Sequence, residues 1–183
     1  KTTSFRMVIG MISGSSGRVI FNGQDVSKLA MYQRAQRGMG YLSQEPSVFQ
    51  RLSVADNLLA ILETVSLSRA QRKHRAEQLM GQFDLLKLRR QQARTLSGGE
   101  RRKLEIARAL VTEPSLILLD EPAGGMTPSE TAELADLISQ QVAPGRTCVV
   151  IEHKMDLISE ICSHLVVLHH GKKIAEGEPG PVL

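Results

Sequence analysis

An acidic pair stands directly after one of the most apolar stretches of the chain. Residues 115–119 have the pattern of a fully buried parallel strand, and Asp120 and Glu121 follow at its end. Open parallel sheets present ligand groups at the carboxyl ends of their strands. A carboxylate there is costly unless a cation is near, so Asp120 is placed to hold Mg²⁺ through its water shell. Glu121 would then act as general base towards a water molecule, although capping of the next turn is the alternative for both residues.

A glycine pair precedes a basic amphipathic helix predicted over residues 100–112. Ser97 and Glu100 have the spacing of a capping box, which needs no ligand. Such a box does not need Gly98 and Gly99 between its members, whereas a backbone that approaches phosphate oxygens at a helix N-terminus does. The sequence therefore favours anion binding over pure capping at this turn.

The first three residues carry the side chains that phosphate chemistry uses. Lys1 can neutralise the charge of the β- and γ-phosphates, and the hydroxyl group of Thr2 can coordinate Mg²⁺, with Thr3 beside it. The tripeptide Lys-Thr-Thr is common by chance and is weak evidence by itself. Their significance depends on Gln44, the glycine pair, the acidic pair and His153, which follow them along the chain.

The apolar pattern predicts an α/β scaffold with a parallel core sheet, since strands and helices alternate. Residues 147–151 form a second apolar run, predicted to be fully buried, which ends at Glu152 and His153. Predicted strands are residues 39–42, 115–119, 147–151, 165–168 and 173–175, with a hairpin at 18–23. Predicted helices are residues 1–12, 100–112, 155–162 and one that Thr127 caps.

Length and composition exclude several classes of protein. The chain has 183 residues, 42% of them hydrophobic, and a net charge of +4, which describes one domain over residues 1–183. The periodicity from residue 53 to residue 90 is helical, and a helical subdomain is expected over residues 45–95. The charge is too small to indicate nucleic acid binding, so the basic runs 69–75 and 101–103 are interpreted as solvated helix faces.

The same composition bears on location. Cys148 and Cys162 form neither a disulfide framework nor a metal-ligand cluster, which fits a reducing cytosol. No apolar run approaches the roughly 20 residues needed to span a bilayer, and no export signal is recognised. A cytoplasmic protein is therefore expected.

In this chain order, the motifs resemble those of the nucleotide-binding domain of ABC transporters over the whole length. That family has a phosphate loop, a glutamine loop, a signature, an acidic strand, a dimer-contact loop and a switch histidine. Here they correspond to Lys1, Thr2 and Thr3, to Gln44, to residues 96–100, 118–122 and 124–128, and to His153. The implied fold is an α/β P-loop NTPase fold with a small antiparallel part and a helical insert.

The resemblance implies a role for each matching residue. Glu121 polarises the attacking water, Gln44 assists, and His153 contacts the γ-phosphate. The residues expected to hold Mg²⁺ are Thr2, Gln44 and Asp120. Those expected to bind ATP are Lys1, Thr2, Thr3, Gln44, Ser97, Gly98, Gly99, Glu100, Asp120 and His153. Among these, Ser97, Gly98 and Gly99 would bind the ATP held by a second subunit.

The resemblance also implies partners. Two such subunits close head to tail around two nucleotides, and they dock on transmembrane permease subunits at the cytoplasmic face of the inner membrane. Gln44 lies between the core and the helical insert, so loss of the γ-phosphate can move the insert and the permease docked beside it. No nucleic acid partner is expected.

Two subfamilies are similar to different parts of the chain. Residues 1–122 resemble the lipopolysaccharide-export ATPases, whereas residues 123–183 are more similar to ATPases that import branched-chain amino acids or urea. Export is favoured, because the first region lines the groove for the membrane subunits. A soluble ABC-type ATPase acting on nucleic acid or ribosomes is the alternative of another class, and a non-catalytic subunit should have lost Glu121 or His153.

The chain departs from the family pattern in two places. Thr127 stands where the dimer-contact loop usually carries an aspartate, although its hydroxyl group can still cap the next helix. The family places a glycine-rich loop and an adenine-stacking aromatic before the position of Lys1. The fold is thus expected to be incomplete at its N-terminus, and residues 1–183 alone to hydrolyse ATP negligibly.

Overall fold

Short strands and helices alternate along the chain, as the predicted α/β class requires. The structure is a computed structural model that describes residues 1–182. The strands are β1 (Ile20–Phe21), β2 (Gln24–Asp25), β3 (Met39–Leu42), β4 (Leu116–Asp120), β5 (Thr147–Ile151), β6 (Leu165–His169) and β7 (Lys172–Gly177). The α-helices are α1 (Thr2–Val8), α2 (Met31–Gln36), α3 (Val54–Leu62), α4 (Arg69–Gln82), α5 (Gly98–Ala109), α6 (Pro128–Leu137), α7 (Met155–Ile161) and α8 (Pro179–Val182).

A parallel sheet with the strand order β3-β4-β5 forms the centre of the fold. Strand β4 lies between the other two, and its Ile117 and Leu119 are fully buried. The register pairs Leu42 with Leu119 and Asp120 with Ile151, so all three strands end at one edge. That edge carries the polar residues that follow the strands.

Strand β5 is more exposed than its apolar sequence predicts. Val149 is 41% exposed, and none of the five residues of β5 reaches full burial. The prediction that residues 147–151 are fully buried is therefore wrong. The physical reason is position, because β5 ends the sheet order and pairs only with β4 among the residues that the structure describes.

Two antiparallel strand pairs lie outside the parallel sheet, and in both the connecting turn falls where the sequence predicts it. Asn22 and Gly23 have φ angles of +48° and +76° between β1 and β2, and His170 and Gly171 have +46° and +77° between β6 and β7. These are the left-handed conformations that a two-residue hairpin turn requires. Helix α2 was not predicted from the sequence.

Helix α1 is shorter than the predicted range of residues 1–12. It ends at Val8, and Gly10 follows with φ +82°. A Cβ atom at Gly10 would lie 2.9 Å from Nε of Arg34, which is buried there. The chain therefore turns where the close packing of Arg34 requires a glycine.

Between β3 and α5, the chain forms two helices and two single 3₁₀ turns, Leu86–Leu88 and Ala93–Thr95. The predicted capping residues Ser53 and Ser68 begin helices α3 and α4. Backbone hydrogen bonds join the start of this segment to its end, from Val54 N to Gln91 O (2.9 Å) and from Ala93 N to Leu52 O (2.9 Å). The two ends of the segment are therefore hydrogen-bonded to each other.

No helix among residues 1–182 is both long and apolar enough to cross a bilayer. Cys148 and Cys162 are free thiols, and partial burial raises the pKa of both.

A buried amide holds the segment that leads into α3. The side chain of Asn57 is fully buried, and its Oδ1 accepts a hydrogen bond from Phe49 N (2.9 Å). Its Nδ2 donates to Phe49 O (3.1 Å) and to Ser53 O (3.0 Å). Asn57 thus supplies the acceptor for Phe49 N and adds a second donor to the carbonyls of Phe49 and Ser53, which also accept from Leu52 N and Asn57 N.

We expect Asn57→Ala to lower the free energy of unfolding by about 1 to 3 kcal/mol, because it leaves Phe49 N–H without its acceptor and removes the hydrogen bonds to Phe49 O and Ser53 O. Urea denaturation followed by circular dichroism measures the change. Glu77→Ala, on the exposed side of α4, is the control and should stay within about 0.5 kcal/mol of the unsubstituted chain. Equal stability of the two variants would contradict this account.

Candidate functional site

The carboxylate of Asp120 is fully buried at the end of β4 and has two hydrogen-bond donors. Thr2 donates from Oγ1 to Oδ1 of Asp120 (3.0 Å), and the Tyr41 hydroxyl group donates to Oδ2 (3.1 Å). Burial raises the pKa of the Tyr41 phenol, and the Asp120 carboxylate raises it further. The start of α1 and strand β3 are thereby brought to the same carboxylate.

Glu121 adopts a backbone conformation that is rare for its residue type. Its φ is +45°, and a non-glycine residue in this region costs about 1 to 3 kcal/mol unless its surroundings hold it. Its N–H donates to Ile151 O (2.8 Å), and its carbonyl oxygen accepts from Gly124 N (3.1 Å). The turn after β4 is therefore supported from both sides.

The side chains of Gln44 and Glu121 meet although 77 residues separate them. Gln44 donates from Nε2 to Oε2 of Glu121 (2.8 Å). Since Glu121 follows Asp120, which bonds Thr2, the structure brings together four of the residues singled out in the sequence. The bonded pairs are Thr2 with Asp120 and Gln44 with Glu121.

Arg102 is a member of this site that the sequence interpretation missed. The basic run 101–103 was interpreted as a solvated helix face, but Arg102 is only 8% exposed. It donates to backbone carbonyls of residues 43, 121 and 122 and pairs with Glu105 (2.9 Å). A signal was present in the sequence, since Glu105 lies three residues further along the same helix and stands among apolar neighbours.

His153 stands at the edge of the sheet with its imidazole ring open to solvent. Its side chain is 66% exposed, and Nδ1 lies 3.3 Å from Oε1 of Glu152. Among residues 1–182, no hydrogen bond or ion pair joins His153 to Glu121 or Gln44. The structure therefore shows no direct polar contact between His153 and the bonded pair Gln44 and Glu121.

The residues on either side of His153 bind the loop that follows Glu121. Glu152, whose side chain is fully buried, accepts at Oε2 from Ala123 N (3.2 Å). Lys154 donates from Nζ to Met126 O (2.8 Å) and to Oγ1 of Thr131 (2.9 Å). The sequence interpretation missed both residues, and only their position beside His153 could have indicated them.

The glycine turn before α5 contains the predicted capping box. Ser97 Oγ accepts from Glu100 N (3.3 Å), and Glu100 Oε2 accepts from Ser97 N (2.8 Å). A Cβ atom at Gly98 would meet no heavy atom within 4 Å, and one at Gly99 only Glu130 Oε1 at 3.9 Å. Packing within the chain therefore does not require glycine at either position, and the Glu100 carboxylate is occupied by capping.

Thr127 caps α6 as predicted. Its Oγ1 accepts from Glu130 N (3.3 Å), and Pro128 follows as the first helical residue. Hydrogen bonds from the backbone and the hydroxyl group of Thr127 lower the pKa of the Glu130 carboxyl. The helix thus starts normally without the aspartate that the family usually carries here.

A cleft of about 240 Å³ opens between Glu121 and the start of α5. Gln44 and Glu121 line one part of it, and Gly98, Arg101 and Glu130 line another. The glycine turn and the carboxylate of Glu121 therefore border one space.

Lys1 and Thr3 lie exposed at the start of α1. Within the described part of the chain, their side chains make no hydrogen bond or ion pair. Both are available to a ligand that approaches this end of the helix.

The donor set at the end of β4 fits a hard cation. Among residues 1–182 no three His, Cys, Asp or Glu side chains cluster as a metal site. Asp120 and the hydroxyl group of Thr2 are nevertheless hydrogen-bonded neighbours, and Gln44 uses its nitrogen on Glu121, so that its amide oxygen remains free. Carboxylate, hydroxyl and amide oxygens suit Mg²⁺, which keeps several waters and needs few protein ligands.

Comparison with known proteins gives consistent results. The sequence profile of the family described as "ABC transporter" matches residues 1–124. The lipopolysaccharide export system ATP-binding protein LptB of Acidithiobacillus ferridurans is 42% identical over 183 residues, covering 100% of this chain and 76% of the relative. LptB of Escherichia coli K12 is 41% identical over 184 residues, again covering 100% and 76%. The similarity to LptB thus extends beyond residues 1–122 to the whole chain.

Among solved structures, the ADP conformation of MJ1267, an ATP-binding cassette of an ABC transporter, superposes with a TM-score of 0.84 at 27% identity. It covers 97% of this chain and 75% of that one. The fold class predicted from the sequence is therefore confirmed.

We expect Tyr41→Phe to lower the free energy of unfolding by about 1 to 2 kcal/mol, because Oδ2 of the buried Asp120 loses its donor. The matched control is Tyr32→Phe, since Tyr32 is 65% exposed. Urea denaturation midpoints of both variants measure the difference. If Tyr41→Phe is as stable as Tyr32→Phe, the phenol does not support the carboxylate.

Proposed function

The chain belongs to the ABC transporter family as an ATP-binding and ATP-hydrolysing subunit, and from this premise we propose that it drives lipopolysaccharide export through a membrane partner. The observation that carries the proposal is the meeting of two bonded pairs at the end of β4, Thr2 with Asp120 and Gln44 with Glu121. The direction of transport rests on the full-length similarity to LptB.

The triphosphate would lie between the start of α1 and the end of β4. Lys1 neutralises the β- and γ-phosphates, and Thr3 stands beside them. Mg²⁺ would be held by Thr2, Asp120 and Gln44, directly or through water, and when bound it neutralises charge on the transferred phosphoryl group. The Thr2–Asp120 hydrogen bond supports this assignment, because it already places two of the oxygen donors together.

Glu121 is the general base towards the attacking water. A base must lie within hydrogen-bonding reach of the proton that it removes. Gln44 holds one carboxylate oxygen of Glu121, and the other has no hydrogen-bond donor within the described residues, at a side chain that lines the cleft. His153, whose ring is open to solvent, would contact the γ-phosphate from the neighbouring strand end.

A second copy of the subunit would complete the site. Ser97, Gly98 and Gly99 would bind the nucleotide held by the partner, in a head-to-tail dimer. The open space around the two glycines supports this, since packing within the chain does not explain them. The geometry gives less support to Glu100, whose carboxylate is engaged with Ser97.

Transmembrane permease subunits would dock beside the helical subdomain proposed for residues 45–95, on the cytoplasmic face of the inner membrane. Gln44 precedes this segment and is hydrogen-bonded to the proposed base. A change at Glu121 during hydrolysis can therefore move the start of the segment. Mg²⁺, ATP, a second subunit and permeases are thus the proposed ligands and partners.

In the full-length protein, we expect Glu121→Gln to lower kcat for ATP hydrolysis by about 100-fold or more, because the base is lost while the site keeps its shape. ATP binding should persist, and ATP-bound dimer should accumulate in size-exclusion chromatography. Glu160→Gln, on the exposed side of α7, is the control. Turnover at the unsubstituted rate would overturn the assignment of the base.

We expect the full-length protein to assemble with the membrane subunits of a lipopolysaccharide exporter and to restore export in cells depleted of their own export ATPase. Glu121→Gln should assemble equally well and fail to restore export. Restored uptake of branched-chain amino acids or urea, with no export, would instead favour an importer.

A further inference from the structure

We infer that Arg102 is a positioning residue that holds Glu121 and the Gln44 segment in their hydrolytic geometry and connects them to the glycine turn of α5. The inference rests on the proposed function, because it concerns how the proposed base is held. Its basis is a single buried guanidinium group that contacts three backbone carbonyls in two segments distant in sequence.

The three carbonyls belong to the residues around the proposed catalytic side chains. Arg102 donates from Nε to Pro122 O (2.8 Å), from Nη2 to Glu121 O (3.2 Å) and from Nη1 to Ser43 O (3.1 Å). Ser43 directly precedes Gln44. A guanidinium is planar and rigid, so bonds in fixed directions set the distance between the two segments.

Glu105 completes the arrangement and neutralises it. Its Oε2 pairs with Nη1 of Arg102 at 2.9 Å, and both side chains are less than 10% exposed. Its Oε1 accepts from Ser47 N (3.1 Å), three residues beyond Gln44. The pair therefore holds the Gln44 segment on both sides, at residues 43 and 47.

The strained conformation of Glu121 explains why such a support is needed. A residue at φ +45° stays there only where its neighbours fix it, and Arg102 binds the carbonyl oxygens of Glu121 and of Pro122 after it. Without these bonds, we expect the Glu121 backbone to relax and its carboxylate to leave Gln44. ATP binding, which uses other residues, should change little.

Arg102 also lies one helical turn after the glycine turn. Gly98 and Arg102 are four residues apart on α5 and therefore share a face of the helix. Both border the same cleft as Glu121. A ligand that shifts the first turn of α5 would shift Arg102, and with it the carbonyls that hold the proposed base.

Two variants of the full-length protein test the inference. Arg102→Lys keeps the charge but loses the planar fork. The double variant Arg102→Met with Glu105→Gln removes the pair without leaving a buried charge. Lys103→Met is the matched control, because Lys103 is the next residue on α5 and makes no hydrogen bond or ion pair within the described part of the chain.

We expect both Arg102 variants to lower kcat by about 10- to 100-fold, as misplaced catalytic groups do, with the Kd for ATP changed less than about threefold. Amide hydrogen exchange of Glu121 and Ala123 should accelerate by about tenfold or more, relative to the control. Thermal unfolding confirms that each variant is folded at the assay temperature.

Unchanged turnover in the folded double variant would overturn the inference, and so would amide exchange of Glu121 and Ala123 at the rates found in Lys103→Met. An equal loss of kcat and of ATP affinity would indicate a general structural role and would also overturn it. Failure of the proposed function is distinguishable, because the unsubstituted protein would then fail to restore export, or Glu121→Gln would hydrolyse ATP at the unsubstituted rate. The exchange measurement would still test the support of Glu121.

Discussion

The buried carboxylate of Asp120 is the constraint on which the site depends. A carboxylate without exposure to water is stable only if donors or cations surround it, and here Thr2 and Tyr41 supply two hydrogen bonds. One donor comes from the start of α1 and the other from β3. Satisfying a single buried group therefore brings to one sheet edge the elements that a phosphate site needs.

A second constraint is the backbone conformation of Glu121, the residue after this carboxylate, where the chain leaves the strand outside the β region. Glu121 does so at φ +45°, and its surroundings hold it there. Arg102 binds the turn from α5, while Glu152 and Lys154 bind residues 123 and 126 from the segment after β5. The turn and the loop after it are thus held by helix α5 and by the segment after β5, both of which are distant from β4 in sequence.

Much of the fold could be predicted because local chemistry decides it. The capping residues Ser53, Ser68, Ser97 and Thr127 each start a helix, and the Asn22–Gly23 turn forms as its residue types require. Burial could not be predicted in the same way. Residues 147–151 are as apolar as β4, yet β5 is only partly buried, because burial depends on position within the sheet. Short α2 carries too few residues for a periodic pattern.

The residues of the site likewise fall into those that the sequence could indicate and those that it could not. Residues whose proposed roles follow from their type at a motif position, such as Asp120, Glu121 and Gln44, could be singled out from the sequence, and hydrogen bonds in the structure join Gln44 to Glu121 and Thr2 to Asp120. Residues that act through backbone carbonyls could not, because any segment offers a carbonyl. Arg102 is the clearest case, since its partners are main-chain atoms of residues 43, 121 and 122.

The contacts that hold the loop after Glu121 determine how the site can respond to a ligand. The loop from Glu121 to Thr127 is held on one side by the helix that begins at the glycine turn and on the other by residues flanking His153. A ligand at either place therefore acts on the main chain of one short loop, through residues 121 and 122 or through residues 123 and 126. The effects of a ligand at the glycine turn and of a ligand at His153 therefore converge on the loop that begins at the proposed base, although no hydrogen bond joins His153 to Glu121 within the described residues.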